Sequence, residues 1–429
     1  MQLLSTADAF INRLSRARLC LALFALAALP RALYLIVARP AFEGYHSIAA
    51  DALLRTGSFG DETARWTEYD PVYPVFLASV QWLFGPTALL IQAVQIAVDS
   101  AGAIGLYLLA ESLTGRRRPA VIGAALYAFY PLLIRYSVLG SELSLLSVLL
   151  IAFACTVVAD ATPYRAAIAG FCLGLAVLTR SMVAPVALLT AAVFALTRGV
   201  TTAICFVLAV TATVSPWLIR NYTVNGSIWP AKSGLNLFMG NSKYMDAVLP
   251  EHNIDLIAAY AIDLVARSRP DLLHPAAEAA LDRYYTALTW NEVKARPRQA
   301  LGLVLSKGAY FFWPRLIPMR IRLPDTRIEL LDDGRIRVEN SPPRGIFEEI
   351  AYTVSYTFIA ATALVGIWIR RSSLVQDAPL WCIVFTFAAI AAIYFPATRY
   401  RAPMEFVLLF YAAVALDAIT RHGQGKPCR

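Results

Sequence analysis

The chain has 429 residues, of which 58% are hydrophobic and only 16% charged, and its mean hydropathy is +0.57. A soluble domain cannot hide that much apolar side chain in one core, so a soluble globular protein is excluded. The net charge of +9 would suggest nucleic acid in a soluble chain, but here the Lys and Arg stand in short loops and beside apolar runs. Membrane topology and anionic headgroups account for them, and no nucleic acid is expected.

Several apolar runs reach roughly 20 residues, the length that spans a bilayer, so the sequence predicts an all-α polytopic membrane protein with about ten transmembrane helices. Arg13, Arg16 and Arg18 precede the first run, 19–38, which lacks a small-residue cleavage site and reads as a retained helix with its N-terminus in the cytoplasm. This helix delivers residues 39–76 to the outer face, where Glu43, Asp51, Asp61, Glu62, Glu68 and Asp70 crowd with Tyr45, His46, Trp66, Tyr69 and Tyr73. Residues 73–84 are apolar but too short to span, and are expected along the outer interface. A second helix is predicted at 87–109, followed by Arg116, Arg117 and Arg118 in an inner turn. The third is predicted at 120–133, with Arg135 at its outer end. Ser141 and Glu142 open a helix that runs to 158, and further helices are predicted at 166–178, 183–196 and 202–214, the last ending outside at Pro216-Trp217.

Beyond this point charge, Pro, Asn and Gly rise and no run spans cleanly. Residues 255–292 have amphipathic helical spacing. The short apolar run 301–313 contains Lys307 and reads as interfacial, and 328–338 has the pattern of a hairpin around Asp332-Asp333-Gly334. Helices are predicted again at 350–369, 380–394 and 403–419, with Arg370-Arg371 inside and the turn 396–401 outside. Arg421, Lys426 and Arg429 place the C-terminus in the cytoplasm. The chain thus divides into an N-terminal transmembrane module at 1–216 that carries the first outer loop (39–86), an extracytoplasmic or interfacial segment at 217–345, and C-terminal transmembrane helices at 346–429. Cys20, Cys155, Cys172, Cys205 and Cys382 lie in apolar runs and Cys428 in the tail, which reads as packed thiols rather than a disulfide framework. Arg31 and Asp99 are deep in the first two helices. A lone charge at such depth costs about 2.5–3.5 kcal/mol on insertion scales, so the two are expected to pair.

On this map the outer side collects Glu43, His46, Asp70, Glu142, Arg180, Arg220, Asn221, Arg399 and Arg401, while the inner side holds little beyond basic anchors. An acid or base beside cations suits transfer of a group off a lipid phosphate: the carboxylate handles the acceptor proton and Arg forks hold the departing phosphate. Simpler roles compete. Glu43 also fits a solvated loop acid and Glu142 a helix-start acid favoured by the dipole. Arg180 and Arg220 also fit headgroup anchors, and His46 a loop hydrogen-bonder. No His/Cys cluster has zinc spacing, so no metal site is assigned, and a divalent cation held by carboxylates is left open.

The chain resembles polytopic glycosyltransferases of the GT-C class, in the protein O-mannosyltransferase and aminoarabinose-transferase-like group. The matching strings are EGYHSIA at 43–49, YPVFLA at 73–78, Ser141-Glu142, LTR at 178–180, PWLIRNY at 216–222, Gly240-Asn241 and RYRAP at 399–403. The resemblance implies a GT-C-like fold and a polyprenyl-phosphate-linked sugar donor used on the extracytoplasmic face, with inversion at the anomeric carbon. It implies a hexosyl- or pentosyltransferase in a bacterial plasma membrane, with a lipid, glycan or protein acceptor. The family places an acidic residue in the first outer loop, usually an Asp a few residues before the position of Tyr45. Here Ala41 and Phe42 occupy that place, so the role passes to Glu43, with Asp70 in reserve. The matching positions give Tyr45, His46, Glu142, Arg180, Arg220, Asn221, Asn241, Arg399, Tyr400 and Arg401 as substrate-binding candidates. Two other functions compete: a transporter or flippase for lipid-linked sugar, and a non-catalytic polyprenyl-lipid-binding protein. The first would need polar residues through the full membrane depth, and the chain shows no internal repeat.

Overall fold

The computed structural model describes residues 11–422 except 12, 43, 62–64, 159–161, 229, 253, 275–276, 318–326, 331–335 and 340–345. Glu43, the Asp332-Asp333-Gly334 turn, Lys426, Cys428 and Arg429 therefore lie outside the described residues.

The first helix, α1 (Arg16–Ala38), is capped by the Ser15 side chain and stops where Arg39 turns left-handed at φ 42°. The first outer loop then builds two helices, α2 (Tyr45–Thr56) and α3 (Val72–Phe84). The sequence reading anticipated the apolar segment of α3 but not α2, which packs on α3 through Ala50 and Leu53. Next come α4 (Ala88–Thr114), α5 (Arg117–Phe129) and α6 (Pro131–Tyr136). The predicted single helix at 120–133 is broken because Pro131 drives Tyr130 out of the helical region, to φ −73° and ψ 116°. They are followed by α7 (Leu143–Val158), α8 (Pro163–Thr179), α9 (Ala184–Thr197) and α10 (Val200–Asn225). The sequence reading ended α10 at Pro216, but the helix runs through that proline for nine more residues. A membrane helix tolerates a proline when its surroundings absorb the lost hydrogen bond. The extension carries Arg220, Asn221 and Asn225 up to the first loop.

The middle segment folds as α11 (Ser233–Asn241), α12 (Met245–Val248), α13 (Asp255–Ser268), α14 (Glu278–Ala295) and α15 (Pro297–Phe311). A hairpin, β1 (Arg327–Leu330) and β2 (Ile336–Glu339), follows in antiparallel register with Ile328 opposite Val338, where the sequence predicted one. The chain closes with α16 (Ile346–Ile369), α17 (Ala378–Ile393), the one-turn α18 (Thr398–Arg401) and α19 (Glu405–His422).

Among the described residues, five helices are long and apolar enough to cross a membrane: α1, α4, α10, and the stretches Phe347–Ile369 and Thr398–Arg421. Shorter apolar helices, α3, α7, α8, Ser181–Thr197 and α17, accompany them. The main core runs through α1, α4, α5, α7, α8, α16, α17 and α19. Helices α8 and α10 approach closely because Gly170 faces the Phe206 carbonyl and Gly174 faces Thr213; a Cβ on Gly170 would lie 2.5 Å from that oxygen. Smaller clusters join α11–α15 into a cap and seat α2 on α3.

The buried pair forms as expected. Arg31 Nε donates to Asp99 Oδ2 at 2.5 Å, its other nitrogens reach the carbonyls of Ala27, Tyr127 and Ala128, and the Tyr127 hydroxyl donates to Asp99 at 3.3 Å. These bonds tie α1, α4 and α5 together. One end of the bundle is rich in ion pairs between helix ends: Arg16–Glu111, Asp417 with Arg116, Arg118 and Arg421, and Arg370–Asp377. The chemistry-bearing residues of the first loop sit at the other end, beyond the C-termini of α1 and α8 and the N-terminus of α7.

Candidate active site

The site grows from four chain segments. Helix α2 starts at Tyr45-His46, and the residues before α3 carry Tyr69 and Asp70. Glu142 stands one residue before α7, and Arg180 is the extended C-cap of α8. Lys232 is the N-cap of α11, and α18 presents Arg399 and Tyr400.

These segments meet through charge. His46 Nε2 lies 3.1 Å from Glu142 Oε2, and Glu142 Oε1 accepts a close hydrogen bond from Arg180. Ser141 also donates to Glu142, at 3.3 Å. The Arg180 guanidinium lies 4.3 Å from the centre of the Tyr400 ring, and Arg399 lies 4.9 Å from the same ring while donating to the Tyr400 hydroxyl at 3.0 Å. Lys232 donates to the Tyr45 hydroxyl and its ammonium sits 4.2 Å from the Tyr45 ring centre. Asp70 Oδ2 accepts from the Ser181 N–H at 3.1 Å and the Ser181 hydroxyl at 3.4 Å. Three cations, Arg180, Lys232 and Arg399, thus gather around Tyr400 and act on one another or on Asp70.

Burial sets the protonation states. It drives the His46 pKa down to about 3, helped by the charges of Lys232 and Arg180, so the imidazole is neutral at physiological pH. Its contact with Glu142 is therefore a hydrogen bond in which Nε2–H donates, not an ion pair. The ring is edged by Tyr45, Tyr69 and Tyr73, and its Nδ1 is buried without a partner. Asp70 is pushed above the ordinary carboxylate value by burial, and Ser181, Arg180 and Lys232 pull it back. Burial also lowers the Lys232 ammonium, which Glu68 partly offsets. Arg399 Nε is buried without a partner, so this guanidinium retains an unused donor.

Of the sequence candidates, the structure brings Tyr45, His46, Asp70, Glu142, Arg180, Arg399 and Tyr400 together. Glu43 precedes this group in the chain but lies outside the described residues. Arg401 is separate. It donates to Glu405 at 2.7 Å, to the carbonyls of Phe311 and Trp313, and to the Tyr352 hydroxyl, with its guanidinium 3.6 Å from the Tyr356 ring centre. On α18 it stands two residues from Arg399, about 200° around the helix, so the two point apart. Arg220 donates to the carbonyls of Phe59 and Trp66 and latches the first loop onto α10, with buried Asn221 beside it. Asn225 and Glu278 both bond Thr67 and complete that latch. Asn241 bonds the carbonyls of Leu237 and Ile393.

Lys232 and Ser181 escaped the sequence reading. Lys232 is a single cation in a loop with no motif around it, and Ser181 contributes mainly a backbone N–H, which no side chain announces. Among the described residues no three His, Cys, Asp or Glu side chains group to hold a metal ion.

No family model and no curated protein matches the chain. Solved structures do. The archaeal oligosaccharyltransferase AglB from Archaeoglobus fulgidus, in complex with an inhibitory peptide and a dolichol-phosphate, aligns over 96% of this chain and 52% of its own, with a TM-score of 0.50 and 14% identity. The same enzyme tethered to an acceptor peptide aligns over 94% of this chain and 50% of its own, with a TM-score of 0.51 and 13% identity. ArnT from Cupriavidus metallidurans bound to undecaprenyl phosphate aligns over 94% of this chain and 77% of its own, with a TM-score of 0.40 and 14% identity. The chain spans about half the length of the oligosaccharyltransferase chains it matches. At these identities the likeness is one of fold: the chain shares the fold of the oligosaccharyltransferase over most of its length.

Proposed function

We propose that this chain is a membrane glycosyltransferase that moves a sugar from a polyprenyl-phosphate donor to an acceptor on the extracytoplasmic face. The observation that carries the reading is the cluster of Arg180, Lys232 and Arg399 around Tyr400, facing the carboxylate of Asp70. Cations fixed where a phosphate leaves stabilise its developing charge, and a carboxylate opposite them takes the acceptor proton. Attack from the face opposite the leaving phosphate inverts the anomeric carbon. The GT-C fold shared with an oligosaccharyltransferase solved with dolichol-phosphate supports the same chemistry.

The phosphate set in this reading is Arg180, Lys232 and Arg399. Arg401 is left out because its donors are engaged inside the protein. The first-loop carboxylates Glu43 and Asp70 are the candidates for general base. Glu142 and His46 orient Arg180 and the acceptor. Ten crossings in a bacterial plasma membrane, with both ends of the chain on the cytoplasmic side, place the ion-paired helix ends inside and the site outside. The Arg31–Asp99 pair is engaged inside the bundle, so neither of these deep charges is free to line a transport path.

The test uses purified protein in liposomes with a polyprenyl monophosphate carrying a radiolabelled sugar, plus an envelope extract as acceptor source. Transfer predicts that label leaves the donor and free polyprenyl phosphate accumulates, and that Arg399→Ala slows both. Label that crosses the bilayer still attached to its lipid favours a transporter. Donor that binds and is never consumed favours a non-catalytic lipid-binding protein.

A further inference from the structure

Lys307 lies in the middle of the cap, on α15, in a run whose sequence suggested an interfacial helix. It is fully buried. Its ammonium donates to the carbonyls of Gly240 at 2.8 Å, Ile393 at 3.0 Å and Tyr394 at 3.0 Å, and to Asn241 Oδ1 at 3.2 Å. An ammonium has three hydrogens, so four acceptors saturate it and no donor is left for a ligand. Burial draws its pKa down to about 8 against the opposing charge of Asp246, so it is charged at neutral pH.

The acceptors are not arbitrary. Gly240 and Asn241 end α11, and Ile393 and Tyr394 end α17. Each helix terminus has unpaired carbonyls and a negative dipole end, and two such ends brought together repel unless a cation lies between them. They are very close here: a Cβ on Gly240 would fall 1.7 Å from the Tyr394 carbonyl oxygen, so only glycine permits the approach. Asn241 adds a second strut by donating to the Ile393 carbonyl at 3.1 Å.

The site lies at the far end of α11 and just beyond the clamped end of α17. Lys232 is the N-cap of α11, and the chain leaving α17 reaches Arg399 five residues after Tyr394. We propose that Lys307 is a positioning residue for the donor phosphate: one buried ammonium clamps the C-termini of α11 and α17, and so sets Lys232 and Arg399 against each other. Neither cation is held to the other by a direct bond, so their spacing follows from the scaffold behind them. The inference rests on the glycosyltransferase reading for its ligand. A 1 Å misplacement from a change far from the chemistry can cost about 100-fold, which makes such a clamp consequential.

The experiment measures binding of undecaprenyl phosphate to the full chain in nanodiscs, at several salt concentrations, for the parent, Lys307→Met, Lys307→Arg, Asn241→Leu and Arg399→Ala. Thermal unfolding is recorded alongside, and binding is measured where each variant is folded. Lys307→Met keeps the side-chain length and removes the clamp; it should weaken binding about 10–100-fold and flatten its salt dependence, because the cations no longer engage the phosphate together. Lys307→Arg should recover part of the affinity. Asn241→Leu leaves the ammonium in place and removes one strut, so it should weaken binding by less. A merely structural lysine would lower the unfolding temperature and leave affinity and salt slope alone, which overturns the proposal. If Lys307→Met does not fold, parental binding by Asn241→Leu overturns it. Weak binding by Arg399→Ala beside parental binding by Lys307→Met refutes the clamp only; parental binding by both refutes the phosphate site as well.

Discussion

Replacement of Arg399 by Ala addresses the most available cation in the cluster. Arg180 is committed to Glu142, and Lys232 to the Tyr45 hydroxyl. Arg399 has one nitrogen on the Tyr400 hydroxyl and a buried Nε with no partner, so it has donors ready for an incoming anion. Loss of Arg399 leaves Arg180 and Lys232 facing the carboxylates Asp70, Glu142 and Glu68, with His46 neutral, and so removes one of the three cations that could meet an anion. A hydrogen bond to a charged group contributes about 1.5–3 kcal/mol, and about 1.4 kcal/mol is tenfold in affinity. With Arg180 and Lys232 still in place, Arg399→Ala should weaken donor binding about tenfold or more. Loss of a fixed donor at a developing oxyanion typically costs about 10²–10³ in kcat, and the variant should fall in that range. Arg399→Lys should recover only part of this, because an ammonium restores the charge without the planar fork. The assay is initial-rate transfer from a labelled polyprenyl-phosphate sugar, with donor affinity measured separately on the same preparations. Parental kcat and parental donor affinity for Arg399→Ala would refute the reasoning.

Three further outcomes follow from the same geometry. If Asp70 is the base, Asp70→Asn should lower kcat by about 10²–10⁴-fold with donor binding intact, whereas collapse in Glu43→Gln with an active Asp70→Asn assigns the proton to Glu43. Because burial raises Asp70 above its ordinary value, the acid limb of the rate profile should lie above that of a free carboxylate. Ser181→Ala removes one donor to the ionised form and should move the limb to still higher pH; a limb that stays or moves down refutes Asp70 as base. Arg31→Met strands Asp99 in the bundle and should cost about 3–5 kcal/mol in thermal or denaturant unfolding, while Arg31→Met with Asp99→Leu should recover much of it. Equal stability of the single and double variants would contradict that.

The long apolar helices were readable because they rest on run length. The apolar runs and their flanking Arg residues mark the helices, and the cost of isolated charges marks Arg31 and Asp99 as partners. Much of the site was readable for a related reason: His46, Glu142, Arg180 and Arg399 all stand at helix ends on one side of the bundle. Direction within that side was not readable. Arg399 and Arg401 flank one tyrosine in sequence, yet the single turn of α18 sends one into the cluster and the other to Glu405. Arg220 stood among the substrate-binding candidates through the PWLIRNY string and its outer position, and the helix that continues through Pro216 brings it under the first loop instead. Lys232 gave no signal and Lys307 only marked its run as interfacial, since the role of each depends on the cap helices α11 to α15 folding over the bundle, a tertiary event without a local pattern.

The central claim is that a lipid phosphate sits among Arg180, Lys232 and Arg399. A cryo-electron microscopy map of the chain in nanodiscs with saturating undecaprenyl phosphate tests it most directly. The account predicts phosphate density over the Tyr400 ring within hydrogen-bond reach of Arg399 and at least one of the other two cations. Density beside Arg401, density at the ion-paired end of the bundle, or an empty cluster under lipid that is shown to bind would contradict it.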